Sequence, residues 1–459
     1  MTNRYPHLNL FETKMAAAHL DGMVLETFKH YYREVVEGAT GLIPDDTIRP
    51  PAGDEVLMAG ELTKFAEDGR RALPNAVRIT LNGGLGTSMG LIGPKSLLPV
   101  RDHLTFIDII MRQAQSGGIR QVFMNSFTTD GPTRTALAVI ARQTPPLTFV
   151  QNKFPKILQD SLKPADWPQA PALEWNPPGH GDIFTAIETS GVLDRLLSDG
   201  CRYALICNSD NLGATLDLSL LGFMAANDVP FIMEVARRTP ADAKGGHLAV
   251  RKEGGLILRE SAQFPGSSDG GDIARYTYFN TNNLWVNLPD LKRLIAAQGT
   301  IQLPLILNPK TLDPRDAASP AVYQIESAMG AAIGLFAGAR AVLVPRQRFL
   351  PVKQCSDLLI VRSDCFTLDH QFQMEINPKR KLPGPLVSLD PAYYRHIDQF
   401  EARFPAGVPS LLACEQLTVN GDIRFESPVT IKGRVCLTNP EASQKVIRAG
   451  SVITEDLTL

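Results

Sequence analysis

The segment Leu81-Asn-Gly-Gly-Leu-Gly-Thr-Ser-Met-Gly-Leu-Ile-Gly-Pro-Lys95-Ser96 constrains this chain more than any other, because five glycines and a lysine follow directly on an apolar run, Ala76 to Leu81. The run reads as a buried strand, and the glycines as the turn leaving its carboxyl end. Glycine takes φ > 0 without a Cβ clash and lets several main-chain N–H groups approach one anion, to which a lysine adds a point charge. Two familiar phosphate loops fail on counting. A Walker A loop needs Gly-Lys-Ser in succession, whereas Pro94 separates Gly93 from Lys95; the dinucleotide fingerprint needs G-x-G-x-x-G, whereas three residues separate Gly86 from Gly90. The segment is either a cradle for a nucleoside triphosphate or a plain glycine-rich turn.

At 459 residues the chain exceeds one ordinary core, and its 44% apolar and 20% charged residues describe a soluble globular protein of two or three domains. A net charge of −2 gives no reason to expect nucleic acid or a membrane as partner, so any anionic substrate must be held by local charge. The six cysteines have neither metal-ligand spacing nor the density of a disulfide scaffold, which points to reduced thiols in a cytoplasmic protein. No signal-type core occurs near the N-terminus, and no apolar run reaches the roughly 18 residues of a membrane span.

Three regions are expected. Residues 1–60 carry apolar positions at helical spacing, such as Phe28, Tyr31 and Val35, and read as a helical lead-in. Residues 61–385 alternate strand-like runs (Ala76–Leu81, Gln121–Met124, Leu147–Val150, Tyr203–Cys207, Pro230–Val235) with helical stretches such as Phe106–Gln115 and Thr133–Gln143. That alternation predicts a mostly parallel sheet with helices on both faces and ligands beyond the carboxyl ends of its strands. Residues 386–459 end in six-residue units beginning Leu417, Ile423, Val429 and Val435, apolar at the first and third places. Such a period fits the coils of a β-helix or, failing that, a pair of β-hairpins.

Several short motifs fall where chemistry is expected. Asn208-Ser209-Asp210 follows a strand, so Asp210 is a candidate Mg²⁺ ligand or the cap of an Asx-turn. His180, between Gly179 and Gly181 after two prolines, either hydrogen-bonds a sugar or phosphate or is a surface-loop residue. Asn280-Thr281-Asn282-Asn283 offers amides that suit sugar hydroxyls, or a capped turn. Arg346, Arg348 and Lys353 surround the apolar Phe349–Val352, so part of this basic run is buried and a cation there needs an anion; Lys353 becomes a second phosphate ligand.

Together with Met124–Phe127, Gln151, Phe154-Pro155, Lys244-Gly-Gly246, Asn308-Pro-Lys310 and Gln324-Ile-Glu326, these segments resemble the eukaryotic-type UTP–glucose-1-phosphate uridylyltransferases through most of the chain. The resemblance implies a Rossmann-like nucleotidyltransferase domain (GT-A-like) with a mixed sheet, followed by a C-terminal left-handed β-helix. It implies Mg²⁺-dependent formation of UDP-glucose and pyrophosphate from UTP and glucose 1-phosphate. Leu81, Asn82, Gly83, Gly84, Gln151 and Gly179 would hold the nucleotide, and Lys95 and Lys353 its triphosphate, both as catalytic residues. His180, Asn208, Ser209, Asp210, Asn280, Thr281 and Asn282 would hold the sugar phosphate, with Asp210 on the metal and homo-oligomers forming through the C-terminal domain. Another sugar 1-phosphate, such as N-acetylglucosamine or galactose 1-phosphate, or an inactive nucleotide-sugar-binding scaffold, are the alternatives.

Overall fold

The computed structural model describes residues 5, 7–141, 144–239, 245–266 and 273–459; Gln143 and Lys244 lie outside them. Its centre is an 11-stranded sheet whose main path runs Val56–Met58, Arg340–Leu343, Phe231–Arg237, Tyr278–Asn287, Tyr203–Asn208, Ala76–Asn82, Arg120–Asn125 and Leu147–Val150. Each expected strand is present within two residues at either end. Along this path every strand points the same way except Tyr278–Asn287, which is antiparallel to both of its neighbours. The sheet is therefore mixed. The reversed strand is long and buried, and its two faces carry different polar sets, so no simple alternation distinguishes it in the sequence.

Ala76–Asn82 is buried at every position, as a central strand with both faces covered must be. Helix Phe106–Ser116 begins with Thr105 accepting from the Asp108 N–H at 3.2 Å, while the Asp108 carboxylate accepts from the Thr105 N–H at 3.0 Å, a reciprocal cap that fixes where this crossover starts. Register then aligns the functional ends: Asn208 pairs with Leu81, Asn82 with Asn125, and Asn125 with Val150. The glycine loop, Asn208–Asp210 and Gln151 consequently leave the sheet side by side.

In the C-terminal region Leu417, Val419, Ile423, Phe425, Val429, Ile431, Val435 and Leu437 are all buried. Strands Leu386–Leu389, Ser410–Asn420 and Thr430–Thr438 stack in parallel, and Ile423–Phe425 lies parallel to Lys445–Ile447. Hairpins would pair neighbouring strands antiparallel, so the hairpin alternative fails.

The N-terminal helices Leu8–Ala17 and Gly22–Val36 form no core of their own. Phe11, Phe28 and Tyr32 pack with Phe154, Ile157, Leu305 and Ile325, and the rings of Phe28 and Phe154 meet edge-on at 5.4 Å. This cluster buttresses the segment that follows Gln151. Phe28→Ala is therefore expected to cost about 3–5 kcal/mol of stability, read as a lowered Tm; an unchanged Tm would mean that the helices contribute nothing to the central core.

Candidate active site

Asp210 is the meeting point. Its Oδ2 accepts from Lys95 Nζ at 2.9 Å and from Lys353 Nζ at 3.1 Å, and it is 8% exposed. Burial pushes the Asp210 carboxyl up, but Lys353 and Lys95 outweigh burial and hold it below the ordinary carboxylate range. Its Oδ1 is buried without a hydrogen-bond partner. Lys95 is itself buried and also donates to the Val352 carbonyl, whereas the Lys353 side chain is 58% exposed. One ammonium is thus buried and the other faces solvent.

Main-chain bonds lock the three residues to one another. The Ser209 N–H donates to Leu81 O at 3.0 Å, the Lys95 N–H to Gly84 O at 3.1 Å, and the Val352 N–H to Asp210 O at 3.1 Å. The glycine loop closes on itself through the left-handed residues Gly86 (φ 63°) and Gly90 (φ 72°), a conformation that side chains resist. Gln151 lies across it, and a Cβ on Gly83 would sit 3.4 Å from its amide. The Asn82 side chain faces inward, donating to Asn125 and Thr133 at 2.9 Å, while its Oδ1 lacks a partner.

A second wall comes from the turn after Pro178. Gly179 holds φ 77°, and a Cβ there would lie 2.5 Å from the Ser327 carbonyl. The turn presents His180, whose Nδ1 accepts from the Met329 N–H at 3.0 Å, leaving Nε2 to carry the proton of the neutral ring. Burial and the nearby Lys353 charge push His180 down to about 4. Two residues on, burial pushes the Asp182 carboxyl up to about 7 against hydrogen bonds from the main-chain and side-chain N–H groups of Asn152, the neighbour of Gln151.

On the reversed strand, Asn280 donates to Asn282 Oδ1 at 2.9 Å and receives the Asn282 N–H at 3.0 Å. Beside them Glu260 is pushed up to about 7 by burial, opposed by its bond with Asn280. Thr281 faces the other way and donates to the Glu234 carbonyl at 2.7 Å. The structure thus joins Lys95, Asp210 and Lys353 directly and Gly83 with Gln151, and it sets His180 within reach of the Lys353 charge. Thr281 belongs to a separate cluster around Glu234.

Sequence reasoning missed that cluster. The buried cation of the basic run is Arg348, and its anion is Glu234, fully buried, which takes Arg348 Nε at 2.8 Å and a terminal guanidinium nitrogen at 2.6 Å. The only local signal for Glu234 was one carboxylate in an otherwise apolar strand. Asp357 was also missed; its carboxylate accepts from the Lys353 and Gln354 N–H groups at 2.7 and 2.9 Å.

Among the described residues no three His, Cys, Asp or Glu side chains converge on a metal position. Asp210 Oδ1 is free to serve a cation, and a protein donor set of fewer than three such groups suits Mg²⁺ where phosphates and water supply the remaining ligands.

A mixed sheet that delivers a glycine loop, a neutral imidazole and two lysines on one carboxylate to the same edge defines an α/β enzyme that handles phosphorylated ligands. Comparison with known proteins narrows the class. Residues 25–432 match the family described as UTP–glucose-1-phosphate uridylyltransferase. The Saccharomyces cerevisiae enzyme of that name is 39% identical over 418 residues, covering 89% of this chain and 82% of its own, and a probable one from Schizosaccharomyces pombe is 37% identical over 437 residues, covering 93% and 85%. Among solved structures, a Leishmania major UDP-glucose pyrophosphorylase mutant in complex with UDP-glucose superposes with a TM-score of 0.92 at 39% identity, covering 98% of both chains. The chain belongs to the UTP–glucose-1-phosphate uridylyltransferase family.

The His180 environment has a consequence for stability. With a folded pKa of about 4 against an ordinary 6.5, the unfolded chain binds the proton first, so this contribution is complete above pH 6.5 and is lost as pH falls toward 4. The Tm of His180→Gln should therefore fall less than that of the unsubstituted protein between pH 6.5 and 4; parallel curves would show an imidazole that titrates normally.

Proposed function

We propose that this chain transfers the uridylyl group of UTP to glucose 1-phosphate, giving UDP-glucose and pyrophosphate. Family membership supports the reaction, and the observation that carries the mechanism is the pair of ammonium groups gathered on Asp210. A phosphate oxygen of glucose 1-phosphate attacks the α-phosphorus of UTP in line; the bond to the bridging oxygen breaks and pyrophosphate leaves. With a second pKa of about 6, the attacking phosphate is already mostly dianionic at neutral pH, so no general base is required. The barrier is the approach of two polyanions, which positioning and charge neutralisation lower.

In this reading Leu81, Asn82, Gly83 and Gly84 receive the nucleotide, and Gln151 and Gly179 hold its uracil. Lys95 neutralises the pyrophosphate side and Lys353 the α-phosphate. The Nε2–H of His180 donates to the sugar phosphate, while Asn208 and Ser209 bound the same pocket and Asn280 and Asn282 read the sugar hydroxyls. Thr281 acts behind them, through its bond to the Glu234 carbonyl. Asp210 Oδ1 would hold Mg²⁺, which when bound would supply positive charge against the phosphates.

The proposal extends to organisation. Residues 61–385, with strand Val56–Met58 on the edge of their sheet, form the catalytic region, the helices of 1–60 its lead-in, and 386–459 a left-handed β-helix that joins copies into a homo-oligomer. No helix among the described residues is long and apolar enough to cross a membrane, and all six cysteines are free thiols, which supports a cytoplasmic setting.

Pyrophosphate release, followed with UTP, Mg²⁺ and a panel of sugar 1-phosphates, tests the reading. Glucose 1-phosphate should be the preferred acceptor, and Lys353→Ala should lower turnover by about 10² to 10³ while folding normally. Preference for N-acetylglucosamine or galactose 1-phosphate, or no release at all, would contradict it.

A further inference from the structure

Lys353 stands at the end of a segment fixed at its other end by charge. Arg348 grips both oxygens of Glu234 and also donates to the Thr215 carbonyl at 2.9 Å, while Trp285 Nε1 and Asn283 Nδ2 complete the Glu234 carboxylate at 2.9 and 3.0 Å. From Arg348 onward the chain is fastened to the Asp210 loop. The Arg348 carbonyl accepts from Asn211 at 3.0 Å and Asn283 at 3.1 Å, the Leu350 N–H donates to Asn211 Oδ1 at 2.8 Å, and the Val352 N–H donates to Asp210 O at 3.1 Å. Contact is so close that a Cβ on Gly213 would lie 2.1 Å from the Gln347 carbonyl.

We infer that the Glu234–Arg348 pair is a positioning device that sets Lys353 on Asp210. A buried ion pair is weak as a source of stability, since desolvation offsets much of its attraction, but bidentate guanidinium–carboxylate geometry fixes direction as well as distance. The Leu350, Val352 and Lys353 N–H bonds hold the segment further along, so the pair sets the direction from which the chain enters them. The carboxylate that anchors the strap and the carboxylate that receives its lysine are held in one network, because Asn211 directly follows Asp210 and its Nδ2 donates to Asn283 at 3.2 Å. The consequence for turnover rests on the uridylyl-transfer reading; the placement of Lys353 does not.

The test replaces the pair by near-isosteric neutral groups, Glu234→Gln/Arg348→Met, with Arg348→Lys as a second variant that keeps the charge and loses the two-pronged grip. Acylation of lysines by acetic anhydride at neutral pH, read peptide by peptide by mass spectrometry, reports the placement without any substrate. Buried Lys156, bonded to the Leu312 carbonyl at 3.0 Å, is the control for general loosening. Lys353 should acylate at least about fivefold faster in both variants with Lys156 unchanged. An unchanged Lys353 rate, or Lys353 and Lys156 rising together, overturns the inference. In turnover, the variants should lose about ten- to a hundredfold in kcat with the KM for UTP nearly constant, and should lose nothing further in a Lys353→Ala background; equal losses in both backgrounds overturn it. Absence of turnover in the unsubstituted protein would instead refute the proposed reaction and leave the labelling result standing.

Discussion

Two ammonium groups share one carboxylate oxygen at Asp210, and the rest of the architecture is arranged around keeping that contact in place. Two lysines so close would repel each other by several kcal/mol at an effective dielectric of about 20. Asp210 makes their proximity tolerable and leaves the cluster one positive charge in excess. In the proposed reaction a phosphorylated ligand would meet a positive site already assembled, which would keep reorganisation small. Because the protein as a whole carries a net charge of −2, this attraction is local, set by which residues the sheet brings together.

The sheet brings them together by direction. The strands ending at Asn82, Asn208 and Leu343 all point to one edge, so Lys95, Asp210 and Lys353, far apart in the chain, are delivered by three short connections. The reversed strand Tyr278–Asn287 serves both sides of this arrangement. Alternate residues point to opposite faces, and accordingly Asn280 and Asn282 bond to each other, whereas Thr281 and Asn283 hold Glu234 and through it Arg348. One strand thereby couples an amide-lined wall to the anchor of the lysine-bearing segment.

Much of this was legible in the sequence where the signal is local. The glycine loop betrays itself by following an apolar run, Asp210 by following another, and the C-terminal parallel strands by apolar residues at a fixed period whose first and third places are all buried in the structure. Where partners are distant in the chain, the sequence offered half of an interaction at most. The basic run required a buried cation with an anion, but which cation is buried depends on packing: Arg348 lies inside on Glu234, while Lys353 is largely exposed. Glu234 could not be paired from sequence, since its partner lies beyond the reversed strand, and the N-terminal helices gave no sign that Phe28 would meet Phe154.

On this account the negative charge of Asp210, rather than its shape, holds both lysines in place. Turnover of Asp210→Asn measures this most directly, because the amide keeps the size and one acceptor oxygen but loses the charge. A fall of about a hundredfold or more, together with a lowered Tm as the two ammonium groups lose the charge between them, is the predicted result; turnover equal to that of the unsubstituted protein would contradict the account.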